Sequence, residues 1–135
     1  CALMLDVDHF KKINDQHGHA TGDKALTTFA NIIRSSLRST EIAGRYGGDE
    51  FVILLPETLP QHGLLVARRI CQEIIQYPIS SESGAIELTP SIGVACATKD
   101  NITKLQSLSE LLSNADKAMY TAKRAGKAQV HMYAD

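Results

Sequence analysis

An α/β sandwich, with helices flanking a mostly antiparallel central sheet, is the fold that this sequence predicts. Three observations carry it. Apolar runs of strand length alternate with segments of helical spacing in the order β-α-α-β-β-α-β-α-β. The paired glycines Gly47-Gly48 separate two of those strands. The length of 135 residues suits one domain around a single core.

The elements follow in order. Ala2 to Leu5 is an apolar run that ends in the acidic pair Asp6 and Asp8. Asp8 stands where a helix cap would, ahead of a short helix reaching about Gln16 and closing at Gly18. A longer helix spans about Gly22 to Leu37, with Leu26, Phe29, Ala30, Ile33 and Leu37 on one face. Ile42 to Tyr46 and Phe51 to Leu55 are strands, and the glycines between them predict a tight hairpin because positive φ costs glycine little. A third helix runs from about Pro60 to Gln76, with a Thr58–Gln61 capping-box pattern and Pro60 in its first turn. Tyr77 to Gly84 is polar and turn-rich, and Ile86 to Ala97 reads as a strand in which Pro90 predicts an edge or a bulge. Ser107 and Glu110 form a second capping box, opening a helix to about Ala125 that Gly126 stops. Ala128 to Tyr133 is the closing strand.

Composition narrows the function. With 44% hydrophobic and 21% charged residues, the chain is of soluble globular type. Its net charge of −1 excludes a general nucleic-acid binder, but leaves room for a single nucleotide held by a local basic patch. The three cysteines have no metal-ligand spacing; Cys71 and Cys96 are expected as buried thiols, which favours a reducing, cytoplasmic compartment. The longest apolar run is about six residues against the roughly 20 of a membrane span, so no direct membrane contact is expected. The chain opens inside a strand-like run and reads as a piece of something longer.

Two acidic strand ends stand out. Asp6 and Asp8 end the first strand, and Asp49 and Glu50 lie at the glycine hairpin. Carboxylates at the ends of two neighbouring strands can aim at one Mg²⁺, which takes hard oxygen ligands and keeps open positions for phosphate. A main-chain oxygen near Val7 supplies a further hard ligand. Taken singly, Asp8 reads equally as a helix cap, and Asp49 and Glu50 as solvated turn residues.

The stretches DVDHFKKINDQHGHATGDKAL and RYGGDEFVILLP, followed by LTPSIGVA and ADKAMYTAKRAGK, resemble the GGDEF domain family, the diguanylate cyclases. The resemblance covers nearly the whole chain and implies a fold related to the polymerase palm and the class III nucleotide cyclases. It implies condensation of two GTP into cyclic di-GMP with release of two pyrophosphates, dependent on Mg²⁺ or Mn²⁺. Each domain then binds one GTP, and two antiparallel domains face each other as a homodimer. It also implies a cytoplasmic domain joined to an upstream sensory or regulatory domain, in a parent that can be membrane-anchored. The same family includes a runner-up reading, a non-catalytic module that binds GTP or a protein partner. A purely structural sandwich leaves the carboxylate clusters unexplained.

Carried over residue by residue, the resemblance makes Asp6, the Val7 carbonyl, Asp49 and Glu50 the metal ligands, with Asp49 or Glu50 the catalytic base. Asn14 and Asp23 match the guanine-binding positions, where an Asp accepts from the N1–H and N2 amine that adenine does not present together. His19 is a further substrate contact, Phe10 and Lys11 open a helix whose free N–H groups suit phosphate, and Lys123 and Lys127 bind phosphate. Read without the resemblance, Asn14 and Asp23 serve helix ends and the lysines are a solvated helix end. The chain departs from the family in three places. The product-inhibition pattern R-x-x-D reads Arg38-Ser39-Thr40-Glu41, so weakened or absent product inhibition is expected. The tail Gly126-Lys127-Ala128-Gln129-Val130 differs from a common G-[RK]-N-R-V pattern. The helix that usually precedes the first strand in relatives does not appear in residues 1–135.

Overall fold

The computed structural model describes residues 1–134. Its elements are β1 (Ala2–Val7), α1 (Phe10–His17), α2 (His19–Ser36), β2 (Ile42–Arg45), β3 (Glu50–Leu54), α3 (Pro60–Ile75), β4 (Ile79–Ser81), β5 (Gly84–Ile86), β6 (Pro90–Ala95), α4 (Leu108–Arg124) and β7 (Gln129–Met132). Five strands form one sheet in the order β2-β3-β1-β6-β7, and β4 and β5 make a separate hairpin. Every pairing in the large sheet is antiparallel except β6–β7. That exception follows from connectivity, since α4 carries the chain back to start a parallel neighbour.

β1 is the central strand, and all six of its residues are buried. Alternation sorts its side chains between two cores. Leu3, Leu5 and Val7 join Phe29 and Ile33 of α2 and Ile70 and Ile74 of α3. Ala2 and Met4 face the other way, onto Ala115 and Met119 of α4. The second face is built from small residues, and helix and sheet approach closely there. A Cβ added at Gly93 of β6 would lie 2.0 Å from the Ala115 carbonyl oxygen and 2.2 Å from the Met119 nitrogen. Among the described residues no helix is long and apolar enough to cross a membrane.

Several expectations need correction. Asp8 does not cap α1; His9 takes the N-cap position in a left-handed conformation, with no side-chain cap bond. α2 begins at His19 rather than Gly22, because Gly18, at φ 88°, turns the chain sharply out of α1. The Thr58–Gln61 capping box does not form: the Thr58 hydroxyl donates to the Pro56 carbonyl, and Leu59 caps α3 without a side-chain bond. Half of the Ser107–Glu110 box forms: the Glu110 N–H donates to Ser107 Oγ at 3.2 Å, while the Glu110 carboxylate accepts the N–H of Gln106 at 2.8 Å instead of that of Ser107. Pro90 marks neither an edge nor a bulge; it is the first residue of β6, opposite Val7.

The hairpin glycines also differ from expectation, since neither Gly47 nor Gly48 adopts positive φ. Residues 46–49 make a four-residue loop, too long to need a primed turn. It is closed by the Tyr46 N–H donating to the Glu50 carbonyl at 2.8 Å, and by the Arg45 guanidinium donating to the carbonyls of Gly47 and Gly48. Cys96 is not a thiol. Cys1 and Cys96 follow the Ala2–Ala95 pair in the ladder and are joined as a disulfide, leaving Cys71 free and buried. The cysteines therefore no longer argue for a reducing compartment.

The contact at Gly93 gives the fold a sharp test. Gly93→Ala drives a methyl into the backbone of α4, which has no flexible end to yield. A loss of folding stability on the order of 3 kcal/mol is expected, read as a lower urea midpoint at unchanged slope.

Candidate active site

The apolar character of β1 ends at its C-terminus, and the site begins there. Asp6 continues the face of Ala2 and Met4, so it points to the side where α4 packs, and it is only 6% exposed. Glu50 is its register partner on β3. Asp49, one residue earlier, lies with its carboxyl within hydrogen-bonding reach of Asp6. The Val7 N–H donates to the Asp49 carbonyl at 3.1 Å, and among the described residues the reciprocal backbone bond to the Val7 carbonyl is not made. That oxygen shares the strand edge facing Asp49 and has free acceptor capacity.

From the other side, the last turn of α4 delivers Lys123, whose Nζ forms an ion pair with Asp6 Oδ2. Asp6 Oδ1 is buried without any hydrogen-bond partner. Burial raises the Asp6 carboxyl, and the hydrogen bond with Asp49 raises it further, while Lys123 pulls it down; the result is about 7. Burial alone would lower the Lys123 ammonium, but the ion pair with Asp6 and the fields of Asp49 and Glu50 outweigh it, and its pKa is raised. An anionic cluster with one lysine and one orphaned oxygen is short of positive charge.

A divalent cation fits that deficit. The donors are two carboxylates and a main-chain carbonyl, all hard oxygens, and the orphaned Asp6 Oδ1 is the atom that lacks a partner. Among the described residues no three His, Cys, Asp or Glu side chains gather into a group that could hold a metal ion, so Glu50 does not converge with Asp6 and Asp49 as a third side-chain ligand here. Magnesium usually binds through one or two carboxylates and completes its shell with water and substrate phosphate, so an open site suits it.

The helical side of the site is built by the α1–α2 hairpin. Asn14, half-buried on α1, lays its side chain against Gly22 of α2, and its Oδ1 is buried without a partner. A Cβ at Gly22 would stand 1.7 Å from that oxygen. Asp23 is the next residue, exposed on the same helical turn, and His19 is exposed at the start of α2. Asn14 thus lies against the residue that precedes Asp23. Phe10, half-buried against the core, and exposed Lys11 open α1, two and three residues beyond Asp8. Lys127 lies in the turn between α4 and β7, left-handed at φ 63°.

Arg38 and Glu41 are not part of this cluster. They precede β2 at the end where Ile42 pairs with Leu54 and Leu54 with Ala2, the opposite end of the sheet from Asp6. The Glu41 carboxylate folds back to accept the Arg38 backbone N–H at 2.8 Å. A separate apolar cleft of about 440 Å³ lies between α2 and β2, lined by Leu26, Ala30, Ile33, Leu37 and Phe51 among others. Neither Asp6, Asp49 nor Lys123 borders it.

Two features escaped the sequence reading. The sequence pattern places Gly22 at a helix start, whereas its missing Cβ makes the seat for Asn14. Asp8 reads equally as a helix cap and as an acidic strand end, and strand alternation favours the second by putting it on the same face as Asp6. The charge of Asp6 also has a measurable consequence. Its raised pKa means that the folded state holds a proton the unfolded chain releases, so stability falls as pH rises from about 4 to about 7. Asp6→Asn escapes that loss. In chelator, urea titrations at pH 8 should find the variant more stable than the native chain by on the order of 2 kcal/mol, with the gap shrinking toward pH 4.

The family profile described as "Diguanylate cyclase, GGDEF domain" matches residues 1–129. Diguanylate cyclase A of Treponema denticola is 40% identical over 128 residues, covering 95% of this chain and 33% of that protein. The chain therefore spans about a third of that relative's length. Among solved structures, the GGDEF domain of YfiN (TpbB) from Pseudomonas aeruginosa superposes with a TM-score of 0.89 at 34% identity, over 99% of this chain and 81% of that one. The GGDEF domain of DgcB from Caulobacter crescentus, in complex with c-di-GMP, gives 0.90 at 29% identity over 98% and 77%. With the carboxylates of β1 and β3 meeting at one end of this sheet, the chain belongs to the GGDEF domain family of diguanylate cyclases.

Proposed function

We propose that this chain is a diguanylate cyclase domain, which joins two GTP molecules into cyclic di-GMP across a dimer of facing domains. The observation that supports this most is the partnerless, buried Asp6 oxygen beside Asp49 and Lys123. Such a site is electrically incomplete until a cation and a phosphate arrive together. Asp6, the Val7 carbonyl and Asp49 would hold Mg²⁺ or Mn²⁺, with Glu50 turning in as a third carboxylate once the ion is bound. When bound, the cation neutralises phosphate charge and acidifies the attacking hydroxyl.

The chain's own residues do the rest. Asn14 and Asp23 hold the guanine edge, Asp23 accepting from N1–H and N2, with His19 as a further contact. Lys123 and Lys127 bind phosphate oxygens, aided by the N–H groups opening α1 at Phe10 and Lys11. Lys127 keeps the charge of an arginine but not its bidentate geometry. Asp49 or Glu50 accepts the proton of the ribose 3′-hydroxyl. The freed oxygen bonds to the α-phosphorus of the second GTP, the bond to pyrophosphate breaks, and the same exchange in the opposite sense closes the ring. Arg38 and Glu41 form a degenerate product site. Glu41 spends its carboxylate on the Arg38 backbone, and this supports weak product inhibition. A regulatory domain upstream in the parent protein would set the dimer.

The test is cyclic di-GMP formation from GTP and Mg²⁺ by the parent protein. Activity should rise faster than linearly with concentration while the dimer is sparsely populated, and Asp49→Ala should lower it at least 10²-fold. GTP binding without turnover would mean a non-catalytic module, and neither would mean a scaffold. Guanine recognition is checked separately. Gly22→Ala displaces only the end of the Asn14 side chain, so folding stability should move by less than about 1 kcal/mol. Calorimetric GTP affinity should nonetheless fall about tenfold or more, the worth of one hydrogen bond to the base.

A further inference from the structure

Asp8 takes no part in the chemistry above, yet it is the most fully engaged carboxylate at this end of the sheet. It is 5% exposed. Its Oδ1 accepts the Ser91 hydroxyl at 2.6 Å, and its Oδ2 accepts both the Thr89 hydroxyl at 2.7 Å and the Ala128 backbone N–H at 3.0 Å. The first two partners belong to the approach and start of β6, and the third to the turn between α4 and β7. One side chain thus ties three segments together at the strand ends.

The turn it grips is not one the chain adopts freely. After Gly126 at φ 120°, Lys127 and Ala128 both stand in the left-handed region, at φ 63° and 51°. Residues with a Cβ disfavour that region, and two in succession persist only when their surroundings hold them. The Lys127 N–H donates to the Ala122 carbonyl at 3.0 Å, which fastens the turn to α4. The fastening to the sheet is the bond from Ala128 to Asp8, made stronger because its acceptor is charged.

We infer that Asp8 is a positioning residue: it locks the Gly126–Ala128 turn and thereby fixes where Lys127 presents its ammonium group. The inference rests on the proposed role of Lys127 toward the nucleotide phosphates. Its chemistry predicts a graded series. In Asp8→Asn the amide oxygen can take the place of Oδ2 and the amide NH₂ can donate to Ser91 Oγ, so the tie survives at neutral strength. In Asp8→Ala it is gone. Asparagine at position 128 tolerates the left-handed region better than alanine does, so Ala128→Asn should need the tie less.

The experiment measures KM for GTP and kcat in the parent protein, together with hydrogen exchange at the Ala128 amide. Asp8→Ala should raise KM about tenfold and speed Ala128 exchange, Asp8→Asn should do both less, and Ala128→Asn should reverse much of the rise in KM that Asp8→Ala causes. Because Asp8 acts through Lys127, adding Asp8→Ala to Lys127→Ala should leave KM where Lys127→Ala alone puts it. A further rise by the same factor would overturn the inference, as would unchanged Ala128 exchange in both Asp8 variants. If Asp8→Ala does not fold, Asp8→Asn with and without Lys127→Ala decides by the same criterion. Lys127→Ala without effect on KM would overturn the positioning role while leaving the chemistry of Asp49 intact. If the native protein makes no cyclic di-GMP, the proposed function fails, and GTP affinity then replaces KM in the same comparison.

Discussion

Everything at the active end depends on how closely α4 can lie against β1 and β6. At Gly93 the helix backbone occupies the space of a side chain. The facing residues, Ala2, Ala95 and Ala115, are small enough to keep the two surfaces together. Such close packing leaves little freedom in the alignment of helix and strand. Once that alignment is set, the helix ends where β1 ends, and its last basic turn meets the strand's acidic terminus. The salt bridge between Lys123 and Asp6 is thus a product of glycine and alanine placed well away from it.

The polar end of the molecule lies at the edge of a dry core, and this placement sets its electrostatics. Asp6 continues a face that has been apolar for two residues, so it is buried by the register of its strand. A buried carboxylate needs compensation. Lys123 supplies part of it, and the unpaired Oδ1 marks what is left over. Gly47 and Gly48 contribute by what they lack: a Cβ at Gly48 would meet nothing within 4 Å, so the approach to Asp49 stays open while the Arg45 guanidinium steadies the loop. The disagreement with their expected positive φ changes the reason for glycine here, from backbone freedom to access.

How legible this was varied with the range of the interactions. Periodicity within one segment was enough to locate the large-sheet strands and all four helices, since burial of one face repeats at fixed spacing. The β4–β5 hairpin was missed because its two strands, three residues each, are too short to alternate visibly. Helix ends were read well where a side chain caps them, as at Ser107, or a glycine stops them, as at Gly18 and Gly126, and poorly where backbone geometry alone starts a helix, as at His9 and His19. Asp6, Asp49 and Glu50 were identified from motif and resemblance together, and the register of β1 with β3 sets Asp6 opposite Glu50, next to Asp49. The partners of Asp8 lie 81 to 120 residues away, and no local pattern announces them. The cross-strand pairing of Cys1 with Cys96 is of the same kind.

The contact between Lys123 and Asp6 occupies one carboxylate oxygen, Oδ2, before anything arrives, and leaves the other, Oδ1, open. A newcomer can add at the open oxygen, but to engage Oδ2 or the lysine it must trade places with an existing partner. A bare cation that took both Asp6 oxygens would strip the lysine from Oδ2 and leave the ammonium without an anion. A bare anion would take the lysine and leave the carboxylates facing one another. A species that carries both charges at once, a metal already chelated by a polyphosphate, satisfies both halves in a single exchange.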